Sequence, residues 1–199
     1  MCAQPVPDLP ASEWPMPPVD GYTADDLDRI PGLPPHTELI DGSLVLVSPQ
    51  KRFHTLALDV LVAGLRRTVP KALRVRREMT VTIGPRQRPE PDVLVVDAAV
   101  EADPDWPETS YPPEAVHLVV EVVSTESEER DRKRKPLLYA EAGIAHFWRV
   151  EQGEDGPVVY IYEIDPATKA YFPTGIHHAH LTASAPFPVD IDLTEVDRL

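Results

Sequence analysis

The chain has 199 residues, of which 33 are acidic and 19 basic, for a formal net charge of −14. This length predicts one domain with a sizeable core, and a hydrophobic content of 42% excludes a wholly disordered chain. A single cysteine, Cys2, excludes an intramolecular disulfide. The first ten residues have neither a basic start nor an apolar run, so we expect no signal peptide, and no apolar stretch of the sequence is long enough to span a bilayer. We therefore expect a cytoplasmic protein without a membrane segment.

The charges are unevenly distributed along the chain. Ten of the 19 basic residues fall within 51–88, whereas 23 of the 33 acidic residues follow residue 88. A protein with this net charge repels a polyanion as a whole, yet a local basic segment can still contact phosphates. On charge alone, the sequence favours the alternative that these cations lie on solvated helix faces.

The N-terminal region combines a proline-rich arm with the start of the fold. Residues 1–20 predict an extended arm without regular structure, because prolines remove backbone donors. We expect residues 21–199 to form a single domain. Thr23, followed by acidic residues, predicts a short helix that ends before Pro31.

A hairpin and an amphipathic helix are predicted next. Asp41-Gly42 separates short alternating runs over 36–40 and 43–47, which indicates a type I′ turn because both turn residues need positive φ. Apolar residues then recur at three- and four-residue steps over 52–69, and Pro70 ends this helix.

The middle of the chain predicts three strands. Residues 73–83 alternate apolar with polar side chains, as in a half-buried strand. Residues 93–96 and 116–123 are almost wholly apolar, which is typical of strands covered on both faces. A proline-rich acidic loop over 98–113 separates them.

A second helix and further strands complete the predicted elements. The helix ends at Ala142, with Gly143 as a left-handed cap, and Pro136 requires that it begin near 133–136. Extended segments are predicted over 146–150, 158–164, 170–174 and 186–193. This order of elements predicts an α/β or α+β fold with one central mixed sheet.

Several common site signatures are absent from the sequence. No phosphate loop, dinucleotide fingerprint or Gly-x-Ser-x-Gly elbow is present. His177, His178 and His180 are clustered, which makes a transition-metal site conceivable, but the sequence favours a polar edge strand or loop.

Three carboxylates occupy positions where charge is costly. Asp92 precedes an apolar strand, Glu121 lies within one, and Glu38 lies in the first strand of the hairpin. Oxygen ligands of this kind suit Mg²⁺ or Mn²⁺. The alternative is that an arginine or amide pairs with each carboxylate for structural reasons alone.

Four blocks of sequence carry a family resemblance. The blocks are Glu38-Leu-Ile-Asp-Gly42 with Ser48-Pro49 and His54, Asp92-Val-Leu-Val, Val120-Glu-Val-Val-Ser124, and Asp131-Arg-x-x-Lys135-x-x-x-Tyr139-Ala-Glu-Ala-Gly143 continuing to Phe147-Trp148-x-Val150. Their order and spacing resemble the Uma-two family, a branch of the PD-(D/E)XK nuclease superfamily. The resemblance covers roughly residues 22–165 and implies a restriction-endonuclease-like fold, a mixed β-sheet flanked by helices.

The resemblance also implies roles for the carboxylates. Asp92 matches the Asp of the Pro-Asp motif, Glu121 matches the acid of the (D/E)XK motif, and Glu38 matches an additional acid. The implied activity is that of an Mg²⁺-dependent (or Mn²⁺-dependent) DNA endonuclease, with the metal held by these three side chains.

The lysine of the (D/E)XK motif is missing, because Val123 stands in its place. Lys135 is the implied catalytic substitute, displaced to the following helix, where it would orient the attacking water. Lys133 is an alternative substitute. A further alternative is that Lys135 is a solvated lysine paired with Asp131.

Other residues have implied or predicted contacts with DNA. His54 is expected to contact the scissile phosphate, or else to pack against the sheet. Tyr139 and Trp148 are expected in the core rather than stacked on bases. The basic segment supplies candidate phosphate contacts, which are Arg66, Arg67, Arg74, Arg76 and Arg77.

Three functional hypotheses follow from the sequence. The leading one is the metal-dependent DNA endonuclease. If it cuts both strands of a duplex, we expect a homodimer, which supplies two active sites. The second is a catalytically silent nuclease-fold protein that binds nucleic acid or a protein partner. The third is a metal-dependent hydrolase of RNA or of a small phosphoester.

Overall fold

The computed structural model describes residues 16–47 and 49–199. The predicted N-terminal arm falls mostly outside these residues, and its last part, 16–20, contains no helix or strand. Within the described residues the elements in chain order are α1 Asp26–Arg29, β1 Glu38–Ile40, β2 Ser43–Val45, α2 Arg52–Thr68, β3 Leu73–Arg77, β4 Thr80–Val81, β5 Val93–Asp97, β6 Ser110–Tyr111, β7 Val116–Val122, a π-helical turn Arg130–Arg134, α3 Lys135–Glu141, β8 His146–Gly153, β9 Gly156–Asp165, β10 Ala170–His177, β11 His180–Ala183 and β12 Val189–Asp192.

A six-stranded mixed sheet forms the centre of the molecule. Its strand order is β10-β9-β8-β7-β5-β3. Strands β7 and β8 run parallel, and the other neighbouring pairs are antiparallel. Because two parallel strands need a crossover, the chain returns from β7 to β8 through the π-helical turn and α3. The predicted mixed sheet flanked by helices is confirmed.

The two faces of the sheet bury separate cores. Alternate residues of β5 and β7, such as Val95 and Val120, pack with α2 and the β11–β12 hairpin. The intervening residues, such as Leu94 and Val119, pack with Tyr139 of α3 and with the segment around β6. This alternation explains why β5 and β7 are almost wholly apolar in sequence.

Helix α2 forms where the sequence predicts it, and its apolar stripe is buried against the sheet. Gly64 lies in this stripe at its contact with β12. A Cβ atom added to Gly64 would lie 2.4 Å from the Cδ1 atom of Ile191. The helix and the hairpin therefore pack at a separation that leaves no room for a side chain at this position.

The predicted hairpin is confirmed, with Asp41 and Gly42 at φ 52° and 77° between β1 and β2. The single strand predicted over 73–83 is wrong. Glu78 adopts φ 51°, so the chain leaves the main sheet after β3, and β4 pairs instead with β6. Polar–apolar alternation does not reveal a break made by one backbone conformation.

The start of the second helix differs in part from the prediction. Helix α3 begins at Lys135, as the position of Pro136 requires, but a π-helical turn precedes it. In this turn the Lys135 amide donates to the carbonyl of Arg130. The Gly143 cap is confirmed at φ 83°, and the Ile144 amide donates to the Tyr139 carbonyl over 3.0 Å.

Helix α1 and strand β11 also differ from the prediction. Helix α1 is only one turn, with the Asp26 carboxylate accepting from the Thr23 amide and hydroxyl. Strand β11 is not predicted from the sequence, although its partner β12 lies within the extended segment predicted over 186–193. Among the residues described, none of the helices has the length and apolar character needed to cross a bilayer.

Candidate active site

The predicted site residues meet in one cleft of about 610 Å³. Glu38, Asp92, Glu121 and Lys135 all line it, together with His54. The cleft lies where β5 begins and β7 ends, beside the hairpin that carries Glu38 and the helical segment that carries Lys135. Residues separated by up to 97 positions in the chain are thus brought together by the sheet.

Sheet register places the two motif carboxylates side by side. Val93 pairs with Val120 across the antiparallel β5–β7 pair, and one residue further this register sets Asp92 beside Glu121. The Oδ2 atom of Asp92 accepts a hydrogen bond of 2.6 Å from the Val122 amide, which anchors the carboxylate to the neighbouring strand.

Glu121 is buried on the face of the sheet that α3 covers. Its Oε1 atom accepts from the Tyr139 hydroxyl at 2.5 Å, and its Oε2 atom accepts from the Lys135 ammonium at 3.1 Å. Burial raises the pKa of Glu121 well above its usual value, and the neighbouring carboxylates of Asp131, Asp92 and Glu38 add to the increase, whereas Lys135 opposes it.

Lys135 lies among three carboxylates. Its Nζ atom is 2.7 Å from Glu38 Oε1 and 3.4 Å from Asp131 Oδ1, in addition to the contact with Glu121. Burial lowers the pKa of this ammonium, but the surrounding negative charges outweigh that effect and raise it well above the usual value. The Lys135 ammonium therefore meets these carboxylates as a hydrogen-bond donor and counter-ion.

Asp92 also contacts α2. His54, near the start of that helix, donates from Nε2 to Asp92 Oδ1 over 2.9 Å. Burial lowers the pKa of His54, but the hydrogen bond and charge of Asp92 outweigh it and raise the pKa. In this arrangement His54 packs at the sheet end and orients Asp92, which matches the packing alternative more closely than a free phosphate contact.

The hairpin holds Glu38 in place through the chain segment that leads into β5. Glu38 Oε1 accepts from the Glu90 amide over 2.8 Å. The Glu90 side chain in turn pairs with His36 at 2.5 Å, on the wall of the same cleft. Burial raises the pKa of Glu90, and the hydrogen bond from His36 opposes this rise.

The side chains of the cleft fit a hard divalent cation in their chemistry. Asp92, Glu121 and Glu38 supply carboxylate oxygens, the ligand type that Mg²⁺ and Mn²⁺ prefer. Asp131 adds a buried Oδ1 atom, which lies 3.4 Å from Lys135 Nζ but accepts no hydrogen bond from the described residues. The geometry is not that of a ready ligand set, since no three acidic, histidine or cysteine side chains of the described residues are grouped to hold a metal, and Lys135 lies between the carboxylates.

The five arginines predicted to contact phosphates lie outside the cleft. None of them is among the described residues that line it. Arg76 pairs with Glu101 and Arg77 with Asp59. Of the others, Arg67 and Arg74 donate to backbone carbonyls, and Arg66 is exposed on α2. The cationic residues that do line the cleft include Lys51 and Arg130, which the sequence did not single out.

Other sequence predictions can be placed as well. Tyr139 and Trp148 are fully buried, as predicted, but the Tyr139 hydroxyl also binds Glu121. Asp131 was expected only as an ion-pair partner of Lys135, and the structure places it in the cleft wall. The spacing of Asp131 and Lys135 by four residues was the signal for their proximity. In the histidine cluster, His180 pairs with Asp190 at 2.8 Å.

Comparisons with known proteins agree with this architecture. A solved structure described as "a putative nuclease belonging to DUF820", from Anabaena variabilis, superposes with a TM-score of 0.61 at 17% sequence identity, covering 83% of this chain and 89% of the other. At this identity the similarity shows a shared fold. A search of curated proteins gave no match.

The family comparison covers most of the chain. The family model Uma2, described as "Putative restriction endonuclease", matches residues 24–194. This range includes every residue of the cleft discussed above, and together with the shared fold it supports a nuclease. The protein belongs to the Uma2 family, the Uma-two family that its sequence motifs resemble.

Proposed function

We propose that the protein is an Mg²⁺- or Mn²⁺-dependent endonuclease that hydrolyses phosphodiester bonds of DNA. The observation that carries this proposal is the convergence of Asp92, Glu121, Glu38 and Lys135 on one cleft. Buried carboxylates beside a charged lysine are the groups that metal-assisted phosphodiester hydrolysis requires.

Each residue has a role in this proposal. Asp92, Glu121 and Glu38 hold the metal, which when bound supplies a Lewis acid and a more acidic water. His54 and the Val122 amide fix the orientation of the Asp92 carboxylate. The Lys135 ammonium orients the attacking water and offsets the negative charge that develops on the phosphate.

The charge of the cleft supports a requirement for cations. Among its described lining residues, seven are Asp or Glu and three are Lys or Arg. A phosphodiester entering this cleft is repelled unless a cation neutralises the carboxylates. A bound divalent ion therefore serves substrate binding as well as chemistry.

One observation favours the second hypothesis, a catalytically silent nuclease-fold protein that binds nucleic acid or a protein partner. The Lys135 ammonium already forms ion pairs with the carboxylates of Glu38 and Glu121. A carboxylate cluster neutralised internally in this way can be retained as a structural unit without metal. Metal binding separates the two functions, because the silent protein needs none.

A cleavage assay tests the proposal. Supercoiled plasmid, linear DNA and a single RNA strand are incubated with the wild type in Mg²⁺, in Mn²⁺ and in EDTA. We expect DNA to be cleaved with either metal and not in EDTA. We expect Asp92→Ala and Lys135→Ala to abolish cleavage, since one removes a metal ligand and the other removes the cation beside the scissile bond.

Lys133→Ala is the matched control for the displaced lysine. Its ammonium is exposed and pairs only with Glu129 at 3.4 Å among the described residues, so this variant is expected to cleave like the wild type. Cleavage lost in Lys133→Ala but kept in Lys135→Ala contradicts the assignment of the lysine. Cleavage of RNA in preference to DNA supports the third hypothesis, and absence of cleavage with any metal supports the silent protein.

The proposal extends to assembly. Cleavage of both strands of a duplex at one position uses two active sites, which a symmetric homodimer provides. Analytical ultracentrifugation at micromolar protein is expected to show a dimer, and a species of only 22.1 kDa contradicts it. The cytoplasmic location expected from the sequence stays a prediction.

A further inference from the structure

Arg130 differs from the other basic residues of its segment. In the run from 130 to 135, Arg132 pairs with Glu128 and Glu151, and Lys133 pairs with Glu129. The remaining pairs are Arg134 with Asp41 and Lys135 with its three carboxylates. Arg130 forms no side-chain hydrogen bond or ion pair with any residue that the structure describes.

Arg130 also lines the cleft. Its Nε atom is buried, and it has no hydrogen-bond partner among the described residues. A buried donor without a partner costs stability, about 1–3 kcal/mol in general. The guanidinium as a whole has no partner among the described residues, so its remaining donors are free for acceptor oxygens of a ligand in the cleft.

The π-helical turn accounts for this position. Its wider winding puts Arg130 just over one turn before Lys135, and the Lys135 amide closes the turn by donating to the Arg130 carbonyl. Both residues line the cleft, whereas the exposed Arg132 and Lys133 lie outside it. π-Helical turns are often found at functional sites, where they redirect side chains.

We propose that Arg130 binds a phosphate group of the nucleic-acid substrate in this cleft. This inference rests on the nuclease function proposed above and names a substrate-binding residue for it. The guanidinium presents a planar set of donors that matches phosphate oxygens. Its contact is to the backbone, so it contributes affinity without sequence preference.

The other two cations that line the cleft already have partners within it. Lys51 donates to the Thr125 hydroxyl over 2.9 Å, and Lys135 is held by carboxylates. Arg130 is therefore the one cation lining this cleft whose side chain has neither a hydrogen bond nor an ion pair among the residues described.

Binding measurements on Arg130→Met and Arg130→Lys test the proposal. Affinity for a short fluorescein-labelled DNA duplex is measured by anisotropy in CaCl₂ over a range of KCl concentrations. Arg130→Met is expected to bind about tenfold more weakly or worse, with a salt slope lower by about one phosphate contact. Arg130→Lys keeps the charge but loses the paired donors, so its affinity for the duplex is expected to lie between those of Arg130→Met and the wild type.

Lys133→Met is the matched control, because it removes the same charge three residues away from an exposed position outside the cleft. It is expected to bind with the affinity and salt slope of the wild type. In cleavage assays, Arg130→Met is expected to raise KM with little change in kcat, the signature of a lost binding contact. Thermal unfolding of each variant establishes that it is folded.

The outcomes distinguish this proposal from the nuclease function. If the wild type cleaves DNA and Arg130→Met binds as tightly as Lys133→Met, the role of Arg130 is overturned and the nuclease function stands. Equal weakening in Arg130→Met and Lys133→Met indicates a general charge effect and also overturns it. A wild type that neither binds nor cleaves nucleic acid overturns the nuclease function, and the role of Arg130 with it.

Discussion

Lys135 is the residue on which the charge balance of the cleft depends. Its ammonium lies within 3.4 Å of oxygens from Glu38, Glu121 and Asp131, and all four side chains are buried. Buried ions of one sign are tolerated only when a counter-ion accompanies them. In the metal-free protein this counter-ion is Lys135, so its removal affects stability as well as chemistry.

We expect Lys135→Met to lower the free energy of unfolding in EDTA by about 3–5 kcal/mol, because it leaves buried carboxylates without their cation. Adding Mg²⁺ is expected to raise the Tm of this variant more than that of the wild type, since the ion replaces the lost charge and binds only the folded site. Urea and thermal unfolding followed by circular dichroism measure both effects.

Lys133→Met provides the reference for this experiment. Its exposed pair with Glu129 is separated by four residues along the helix, and such pairs contribute about 0.3–0.5 kcal/mol. A loss of stability in Lys135→Met no larger than that in Lys133→Met contradicts the counter-ion role. Equal Mg²⁺ stabilisation of the variant and the wild type contradicts the metal site.

The sequence identified those side chains of the cleft whose residue type is unusual at their position. Asp92 and Glu121 were recognised because carboxylates are conspicuous in apolar strands. The Tyr139 hydroxyl and Arg130 were missed, because an aromatic on a helix facing a sheet indicates only packing, and because the π-helical turn that brings Arg130 to the cleft has no sequence signature. Their roles depend on contacts made after folding.

At the scale of elements, packing between α2 and β12 sets how closely the helix approaches the hairpin. Gly64 allows this approach, and the facing Ile191 is almost completely buried. Isoleucine is stiff at χ1, so it cannot turn away from a new methyl group. A helix-favouring substitution at this position therefore meets a steric conflict.

We expect Gly64→Ala to lower the free energy of unfolding by about 1 kcal/mol, because overpacking of about 1–3 kcal/mol exceeds the gain in helix propensity of about 1 kcal/mol. The double variant Gly64→Ala with Ile191→Ala is expected to lose less than the sum of the two single changes, since alanine lacks both the Cγ1 and the Cδ1 atoms that lie 2.4 Å from the added Cβ. Urea unfolding of the four proteins measures this coupling. Additive effects, or a stabilised Gly64→Ala, contradict the contact.

Elements with their own local signals were predicted correctly. The Asp41-Gly42 turn, helix α2 and the Gly143 cap each follow from short-range chemistry. The break at Glu78 and strand β11 were not predicted, because each depends on a partner distant in sequence: Glu78 donates its amide to the Asp92 carbonyl, and β11 pairs with β12. Pairing between segments distant in sequence was therefore what the sequence did not predict.

At the scale of the whole molecule, Arg88 joins the N-terminal region to the sheet. Its guanidinium donates to Asp28 of α1, to the Ala24 carbonyl, to the Thr80 hydroxyl and to the Thr109 carbonyl. Its backbone pairs with Leu39, next to Glu38. A buried arginine thus holds the hairpin that carries one of the site carboxylates.

This connection predicts a pH dependence of stability. The hydrogen bond from Arg88 holds the pKa of Asp28 below its ordinary value of 3.8, although burial opposes the shift. A carboxyl with a lowered pKa stabilises the fold above its unfolded pKa, and this contribution is lost as the pH falls through the folded pKa. We expect the stability difference between wild type and Asp28→Asn to be constant near neutrality and to shrink below about pH 4. Because 45% of the Asp28 side chain is exposed, the difference is expected to be below about 1 kcal/mol, and a difference independent of pH contradicts the assignment.

The net charge of −14 sets a condition on any nucleic-acid partner. Long-range repulsion opposes the approach of DNA, and the excess of carboxylates in the cleft opposes its entry. If the nuclease proposal is correct, the same carboxylates that support cleavage weaken metal-free binding. Removing the charge of these carboxylates should therefore abolish cleavage and strengthen metal-free binding of DNA.

We expect the double variant Asp92→Asn with Glu121→Gln to lose cleavage in Mg²⁺ and yet to bind a DNA duplex more tightly than the wild type in EDTA, because two negative charges are removed from the cleft. In Ca²⁺ the order is expected to reverse, since only the wild type retains its metal ligands. Asp25→Asn with Glu129→Gln is the control, as it removes two exposed charges outside the cleft. If both double variants bind equally well in EDTA, net charge and not the cleft governs the repulsion. If calcium leaves the affinity of the wild type for DNA unchanged, a metal ion at these carboxylates does not promote DNA binding.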